Sequence, residues 1–328
     1  MPPSMTPATG ILALIGNTPM LELTRLDTGP CRLFLKLELA NPGGSIKDRI
    51  GVSMIAAAEA DGSLRPGMRI VEASAGNTGL ALALVGAAKG YACTIVMPDK
   101  MSREKMDHLR ALGAEVVVTR SDVTKGHPEY YADLAQRLAA ERGDCWYVNQ
   151  FANPANPLAH ERTTGPEILA QMEGRVDAIV LGVGSGGTVT GLSRHFAAAS
   201  PATEFVLADP EGSVLAAAVE GRAAPEPGSW RVEGIGEDFL PPILDLGRTR
   251  RAYTIGDAES FRTARALLRE EGVLAGSSTG CLLAAALRYC RAQTAPKRVV
   301  TLACDTGNKY LSKFYDDTWL AAQGLPCD

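Results

Sequence analysis

Short apolar runs rich in Val, Ile and Leu recur along the chain. Between them lie longer stretches whose apolar residues return every three or four positions. The first pattern predicts buried strands and the second amphipathic helices. The strands fall at 33–37, 69–72, 93–97, 115–119, 147–150, 178–183, 204–208, 253–255 and 299–303. The helices fall at 46–60, 77–89, 103–112, 128–142, 163–172, 188–199, 258–271 and 279–292. Strands alternating with helices predict an α/β protein with a largely parallel sheet. Its 328 residues suggest about two domains, and the change falls near residue 150. Residues 221–230, rich in Pro, Ala and Gly, read as an excursion within a domain. No internal repeat or low-complexity tail is visible.

Ligands in such folds bind beyond the C-terminal ends of the strands, so the loops there come next. Asn41-Pro42-Gly43-Gly44-Ser45-Ile46-Lys47-Asp48-Arg49 joins a strand to a helix. Pro42 and the glycines make the turn, Ser45 is a candidate N-cap, and Asp48 three residues on suggests a capping box. Lys47 then sits in the first helical turn, where the helix dipole disfavours its positive charge. Shielded from water as well, it offers the neutral amine that attacks a carbonyl. A solvated lysine at a helix start is the alternative on this stretch alone.

Glu72-Ala73-Ser74-Ala75-Gly76-Asn77-Thr78-Gly79 is a second strand-to-helix loop. Its small residues and helix start favour an anion, and an ordinary capped turn is the alternative. The third runs from Gly182 to Gly191 as Gly-Val-Gly-Ser-Gly-Gly-Thr-Val-Thr-Gly, with more glycines and hydroxyls than a turn needs. It reads as a phosphate cradle. It also fits the G-x-G-x-x-G dinucleotide pattern, and Asp209 closes the next strand where a ribose-binding acid belongs. A nicotinamide-dependent oxidoreductase is therefore a rival. That rival leaves the lysine loop and the 72–79 loop without a role.

Composition removes other classes. The net charge is −4 with no basic stripe, which argues against nucleic acid. The seven cysteines are scattered and odd in number, as in a cytosolic protein with reduced thiols. The N-terminus lacks the features of a signal peptide, and the apolar stretches are too short to span a bilayer. Four histidines (108, 127, 160 and 195) show no ligand spacing, so no metal is expected, and His195 reads as structural.

Taken together, the loops resemble those of the pyridoxal-phosphate β-replacement enzymes, the family of cysteine synthase and cystathionine β-synthase. The resemblance rests on four motifs in order: Gly-Gly-Ser-Ile-Lys-Asp-Arg, Gly-Asn-Thr-Gly, Gly-Ser-Gly-Gly-Thr and Asp-Thr-Gly-Asn-Lys-Tyr-Leu-Ser. It implies two three-layer α/β domains with mostly parallel twisted sheets, the tryptophan-synthase-β-like fold type II. A smaller movable domain would cover 40–150, and a larger cofactor-binding domain 1–39 plus 151–328. Pyridoxal 5'-phosphate is the implied cofactor, with neither heme nor metal. Lys47 looks like the lysine that carries the cofactor aldehyde and then removes the α-proton. Asn77 looks like the partner of the ring oxygen, and Gly184, Ser185, Gly186, Gly187 and Thr188 like the phosphate loop. Thr306 falls where the family keeps a hydroxyl near the ring nitrogen, with the adjacent Asp305 as the other candidate. Ser74, Ala75, Gly76, Thr78, Gln150 and Gly234 are implied to line the substrate. Of these, Ser74, Thr78 and Gln150 receive its carboxylate.

The stretches from Asp209 to Ser213, Val232 to Gly236 and Tyr310 to Trp319 are more similar to cystathionine β-synthase. They imply that serine or O-acetylserine is joined to homocysteine through an aminoacrylate. Sulfide as acceptor, giving cysteine, is the alternative. Glu233 or Glu237 would meet the charges of homocysteine. The chain departs from the pattern at Ala75, where most members carry serine, and at Glu237, where the animal enzymes carry tyrosine. A heme-binding extension and a C-terminal regulatory module are not expected. The resemblance further implies small amino-acid substrates, a homodimer and a cytoplasmic protein.

Overall fold

The computed structural model describes residues 7–74, 76–99, 101, 103–123 and 126–327. In chain order its strands are β1 (Met20–Leu23), β2 (Arg32–Lys36), β3 (Arg69–Ala73), β4 (Ala92–Pro98) and β5 (Glu115–Thr119). There follow β6 (Cys145–Tyr147), β7 (Ala178–Leu181), β8 (Glu204–Pro210), β9 (Thr249–Ile255) and β10 (Arg298–Leu302). The helices begin with α1 (Lys47–Asp61), α2 (Asn77–Lys89), α3 (Arg103–Ala111), α4 (Tyr131–Arg142), α5 (Ala155–Ala159) and α6 (Gly165–Gln171). They continue with α7 (Gly187–Ala199), α8 (Leu215–Val219), α9 (Asp257–Glu271), α10 (Ser277–Arg291) and α11 (Asp317–Ala322).

These elements form two units. One comprises Met1–Asn17 with Asn41–Asn149, the other Thr18–Ala40 with Gln150–Asp328. The sequence put residues 1–39 with the larger body, whereas the stretch up to Asn17 keeps its contacts with the smaller one. Gly16 donates its N–H to Asn41 Oδ1 at 2.8 Å, and the 3-10 turn Ile11–Leu14 touches α2.

The smaller unit holds a four-stranded parallel sheet in the order β5-β4-β3-β6. Side chains alternate across it, as the pleat requires. Val71, Ala73 and Val96 face α4 and cluster with its Ala135 and Ala139. Ile70, Cys93 and Ile95 face α2, where a Cβ added at Gly86 would meet Cys93 Sγ at 2.6 Å and one at Gly79 would meet Ile95 at 2.9 Å. Helices thus cover both faces. β6 stops at Tyr147, earlier than the sequence suggests, because Asn149 turns left-handed with φ 51°.

The larger unit holds six strands in the order β1-β2-β10-β7-β8-β9, parallel except for the antiparallel edge strand β1. Phe205 on β8 meets Phe196 of α7, while its neighbour Glu204 accepts a hydrogen bond from Tyr289 of α10 at 2.7 Å on the other face. Every residue of α10 except Arg288 and Arg291 is buried. A helix apolar on all sides belongs inside a unit, and α10 packs on four strands and on α9. At Gly280 a side chain would come 2.9 Å from Ala264 of α9, so only glycine permits this approach.

Candidate active site

In the smaller unit the candidate lysine begins α1 and is half-buried. The turn before it is tied down at several points. Gly44 takes φ 72° and donates its N–H to Asn41 O at 2.7 Å. Lys47 donates its N–H to Ser45 Oγ at 3.3 Å. Asp48 reaches back past Ser45 and accepts the Gly43 N–H at 2.5 Å. The capping box expected from the sequence is not formed: α1 has Ile46 at its N-cap with no side-chain cap, because the Asp48 carboxylate is taken by the turn before it and the Ser45 hydroxyl by the Lys47 N–H.

The second loop leaves β3 and starts α2 at Asn77. Ser74 Oγ accepts the N–H groups of Gly76 at 3.2 Å and Gly79 at 3.0 Å, which caps the helix. Thr78 is buried in the first turn. Ala75 lies outside the described residues. The two helices approach closely where Gly51 of α1 meets Ala81 of α2, and a Cβ at Gly51 would sit 3.3 Å from the Ala81 backbone. That crossing lies one turn, about 6 Å of helix, beyond both Lys47 and Asn77. The lysine and the asparagine are thus brought to neighbouring helix starts.

In the larger unit the third loop leaves β7 and opens α7. Its glycines are required by what surrounds them. A Cβ at Gly184 would lie 2.5 Å from Gly234 O, and one at Gly187 would lie 2.5 Å from Asn156 Cγ. Gly186 takes φ 90° against Leu244. Asn156 Nδ2 donates to Ser185 Oγ at 2.9 Å and to Gln150 O at 2.8 Å, so one amide ties two implied site residues together. The Thr188 hydroxyl pairs with His160 Nε2 at 3.3 Å, and His160 Nδ1 with Thr164 Oγ1 at 3.0 Å. The result is a helix start without side-chain bulk, flanked by fixed hydroxyls. It fits a phosphate monoester, whose oxygens take backbone N–H groups and whose charge the helix dipole favours. Asn156 escaped the sequence reading, and His160 carries no role in it beyond its lack of ligand spacing. Only the Asn153-Pro-Ala-Asn-Pro157 run hints at a fixed turn there.

The neighbours of Gly234 and Thr306 both meet the start of α10: Glu233 donates its N–H to Ser277 Oγ at 2.9 Å, and Asp305 O accepts the Gly276 N–H at 3.0 Å. Gly236 donates its N–H to Val183 O at 2.8 Å, which holds the 233–236 turn against the cradle. Thr306 bridges Ala275, and its Oγ accepts the Asn308 N–H at 3.3 Å. The adjacent Asp305 is buried, accepts the Tyr310 hydroxyl at 2.7 Å and packs over Gly276. Burial and that carboxylate push the Tyr310 hydroxyl well above its ordinary pKa, so it stays a donor.

Asp209, the acid that a dinucleotide would use, is closed off. It is buried, one oxygen accepts the Ala216 N–H at 2.7 Å, and burial raises its pKa. It starts α8 instead of facing a ribose. His195 packs against Gly165, and burial lowers its pKa. Among the described residues, no group of three or more His, Cys, Asp or Glu could hold a metal, and no helix is long and apolar enough to cross a membrane.

Comparison with known proteins extends these observations. A family model described as pyridoxal-phosphate dependent enzyme matches residues 11–305. Cystathionine beta-synthase of Rattus norvegicus is 43% identical over 96% of this chain, which spans 56% of that protein's length. Cysteine synthase A of Escherichia coli is 41% identical over 91% of this chain and 92% of its own. A crystal structure of an O-acetylserine dependent cystathionine beta-synthase from Helicobacter pylori superposes with a TM-score of 0.86 at 36% identity. It covers 94% of this chain and 99% of that one.

Proposed function

The chain belongs to the pyridoxal-phosphate-dependent enzymes of the cystathionine β-synthase and cysteine synthase type, and from that premise we propose that it joins O-acetylserine or serine to homocysteine, forming cystathionine. The bulk-free cradle at the start of α7 is the observation that carries the reading. The bound cofactor supplies an aldehyde for amino groups and an electron-withdrawing ring. In this reading the N–H groups of residues 184–188 hold its phosphate, Asn77 meets its ring oxygen, and Thr306 meets its ring nitrogen. A hydroxyl at the nitrogen does not stabilise a full positive charge there, which favours loss of a β-substituent over long-lived carbanion chemistry.

Lys47 would hold the cofactor's aldehyde, and its amine, once free, would be the base for the proton on the donor's α-carbon. Ser74, Thr78 and Gln150 hold the donor's carboxylate, and Gly76 keeps the loop free of bulk. Acetate or hydroxide leaves the β-carbon, and the acceptor sulfur takes its place. O-acetylserine is the better donor, because acetate leaves without the protonation that hydroxide needs. Ala75 brings no hydroxyl to supply it. The Helicobacter pylori relative is described as O-acetylserine dependent, which supports this choice. The extent of the match to cysteine synthase A keeps sulfide as the second acceptor. We place the protein in the cytoplasm as a homodimer; its cysteines are free throughout the described residues.

Borohydride reduction and peptide mapping test the lysine: the label is expected on Lys47, and a colourless protein that binds NAD would sink the reading. Offering homocysteine and sulfide in competition, with serine or O-acetylserine as donor, tests the reaction. Cystathionine is the expected main product, and cysteine alone would favour the second reading. Sedimentation velocity tests the dimer, and a lone monomer would refute it.

A further inference from the structure

We propose that Glu233 and Lys313 together recognise the second substrate as an α-amino acid, Glu233 taking its ammonium group and Lys313 its carboxylate. The inference rests on the β-replacement reading and goes beyond it, naming a lysine 80 residues along the chain as a determinant of acceptor class.

The pair itself is the first observation. Lys313 Nζ lies 2.6 Å from Glu233 Oε1, and the two side chains keep 27% and 23% of their surface in water. The pair is part-buried yet reaches water on one side, so a ligand that carries both charges can meet each member there. The larger unit also contains an enclosed pair for contrast. Lys36 is fully buried against Glu167 and donates as well to Gln171 and to Thr18 O, so it has no room for a ligand.

Both charges hang from frames that reach the cofactor loops of the same unit. Glu233 donates its N–H to Ser277 Oγ at 2.9 Å, at the start of α10. The next residue, Gly234, lays its carbonyl against Gly184 of the cradle. Lys313 donates its N–H to Tyr310 O at 3.0 Å, and the Tyr310 hydroxyl holds Asp305 beside Thr306. Tyr315 donates its hydroxyl to Ala275 O at 2.7 Å, and Ala275 bridges Thr306. The carboxylate is therefore fixed from the cradle side and the ammonium from the Thr306 side.

Chemistry supplies the rest. Sulfide has neither an ammonium group nor a carboxylate, and a site built for it needs no such pair. Homocysteine has both, at the far end of a short chain from its thiol. Two charge-assisted hydrogen bonds at that end bind the acceptor and set the direction in which its sulfur points.

The test uses the holoenzyme at saturating O-acetylserine, with kcat/KM measured for homocysteine, sulfide and 2-mercaptoethanol. Lys313→Gln and Glu233→Gln are each expected to lower the homocysteine-to-sulfide ratio by about tenfold or more. The ratio to 2-mercaptoethanol should fall equally, and Lys313→Arg should keep most of both. The double reversal Glu233→Lys with Lys313→Glu restores an ion pair of opposite polarity. It is expected to recover the melting temperature and the bound cofactor without recovering homocysteine use. Unchanged ratios in both glutamine variants, or full recovery in the reversal, would mean that the pair is structural. An unmodified enzyme that uses sulfide and refuses homocysteine overturns this inference and leaves β-replacement standing. Failure with every acceptor removes both.

Discussion

Two glycine-rich loops each leave a strand and start a helix, one in each unit, and their glycines are there for different reasons. In the 182–191 loop, protein presses on the chain at nearly every glycine. Gly184 meets a carbonyl, Gly186 meets Leu244, Gly187 meets Asn156, and Gly191 meets His160. In the 74–79 loop, a Cβ at Gly76 would meet only the buried Lys105 among the described residues, at an ordinary contact distance of 3.4 Å. A single hydroxyl, that of Ser74, takes the two N–H groups that shape the turn. The first loop is held by packing along its length, whereas the second is packed only at Gly79, against Ile95, and the turn before it is closed by one hydroxyl. A frame fixed from all sides suits a group that stays bound, because its shape needs no ligand to maintain it. A frame closed by one hydroxyl suits a group that arrives and leaves with each turnover.

The contrast breaks most clearly at Gly187. Gly187→Ala drives a methyl into the Asn156 amide, and cofactor affinity is expected to fall about a hundredfold, or about 2.7 kcal/mol. Equilibrium titration with pyridoxal phosphate reads this directly. Tight binding by the variant would show that the cradle yields.

Thr78→Ala should cut kcat/KM for the donor about tenfold, equivalent to about 1.4 kcal/mol, while the colour of the bound cofactor is retained. Stopped-flow absorbance separates the two. Parallel loss of cofactor would put Thr78 in the cradle's class and erase the distinction.

Ser74→Ala removes a cap and should cost about 1 kcal/mol of stability, seen as a lower melting temperature, together with a raised KM for the donor. A drop in cofactor affinity as large as that of Gly187→Ala would contradict the division of labour.

Gly76→Ala is the mildest change. Among the described residues, a Cβ there would meet only the Lys105 side chain, at the ordinary contact distance of 3.4 Å. Stability should change by less than about 0.5 kcal/mol. A large loss in a thermal melt would mean that this loop is as tightly enclosed as the other.

The same contrast explains what the sequence disclosed. Both loops were legible because glycines between a strand and a helix have few other uses. Their surroundings were not. Asn156 is 31 residues from Gly187 in the chain, and no local pattern says that one touches the other. The Glu233–Lys313 pair is hidden for the same reason. Strands buried on both faces announced themselves as apolar runs, and nearly all fell where expected. The edge strand β1 did not, since four residues with a single buried leucine make too short a signal. The five-residue helices α5 and α8 are likewise shorter than the window that shows a helical period. Helix α6 was placed, but its approach runs through a π-turn at His160–Thr164, which shifts the apolar period by a residue.

One feature of the sheet order bears on how the protein is made. Strand β2 lies between β1 and β10, pairing Arg32 through Lys36 with Arg298 through Leu302. The ribosome delivers β10 about 260 residues after β2, a wait of roughly 13–50 s at ordinary rates of synthesis. The four strands of the smaller sheet all emerge during that wait, so that sheet is complete first. Proteolysis of ribosome-bound chains arrested after β9 should find Asn41–Asn149 resistant and the β1–β2 hairpin cut; resistance of both would contradict this order. Meanwhile Leu33, Phe34 and Leu35, buried in the finished protein, travel on an unpaired edge that invites aggregation. The nascent chain is therefore most in need of a chaperone at its oldest end.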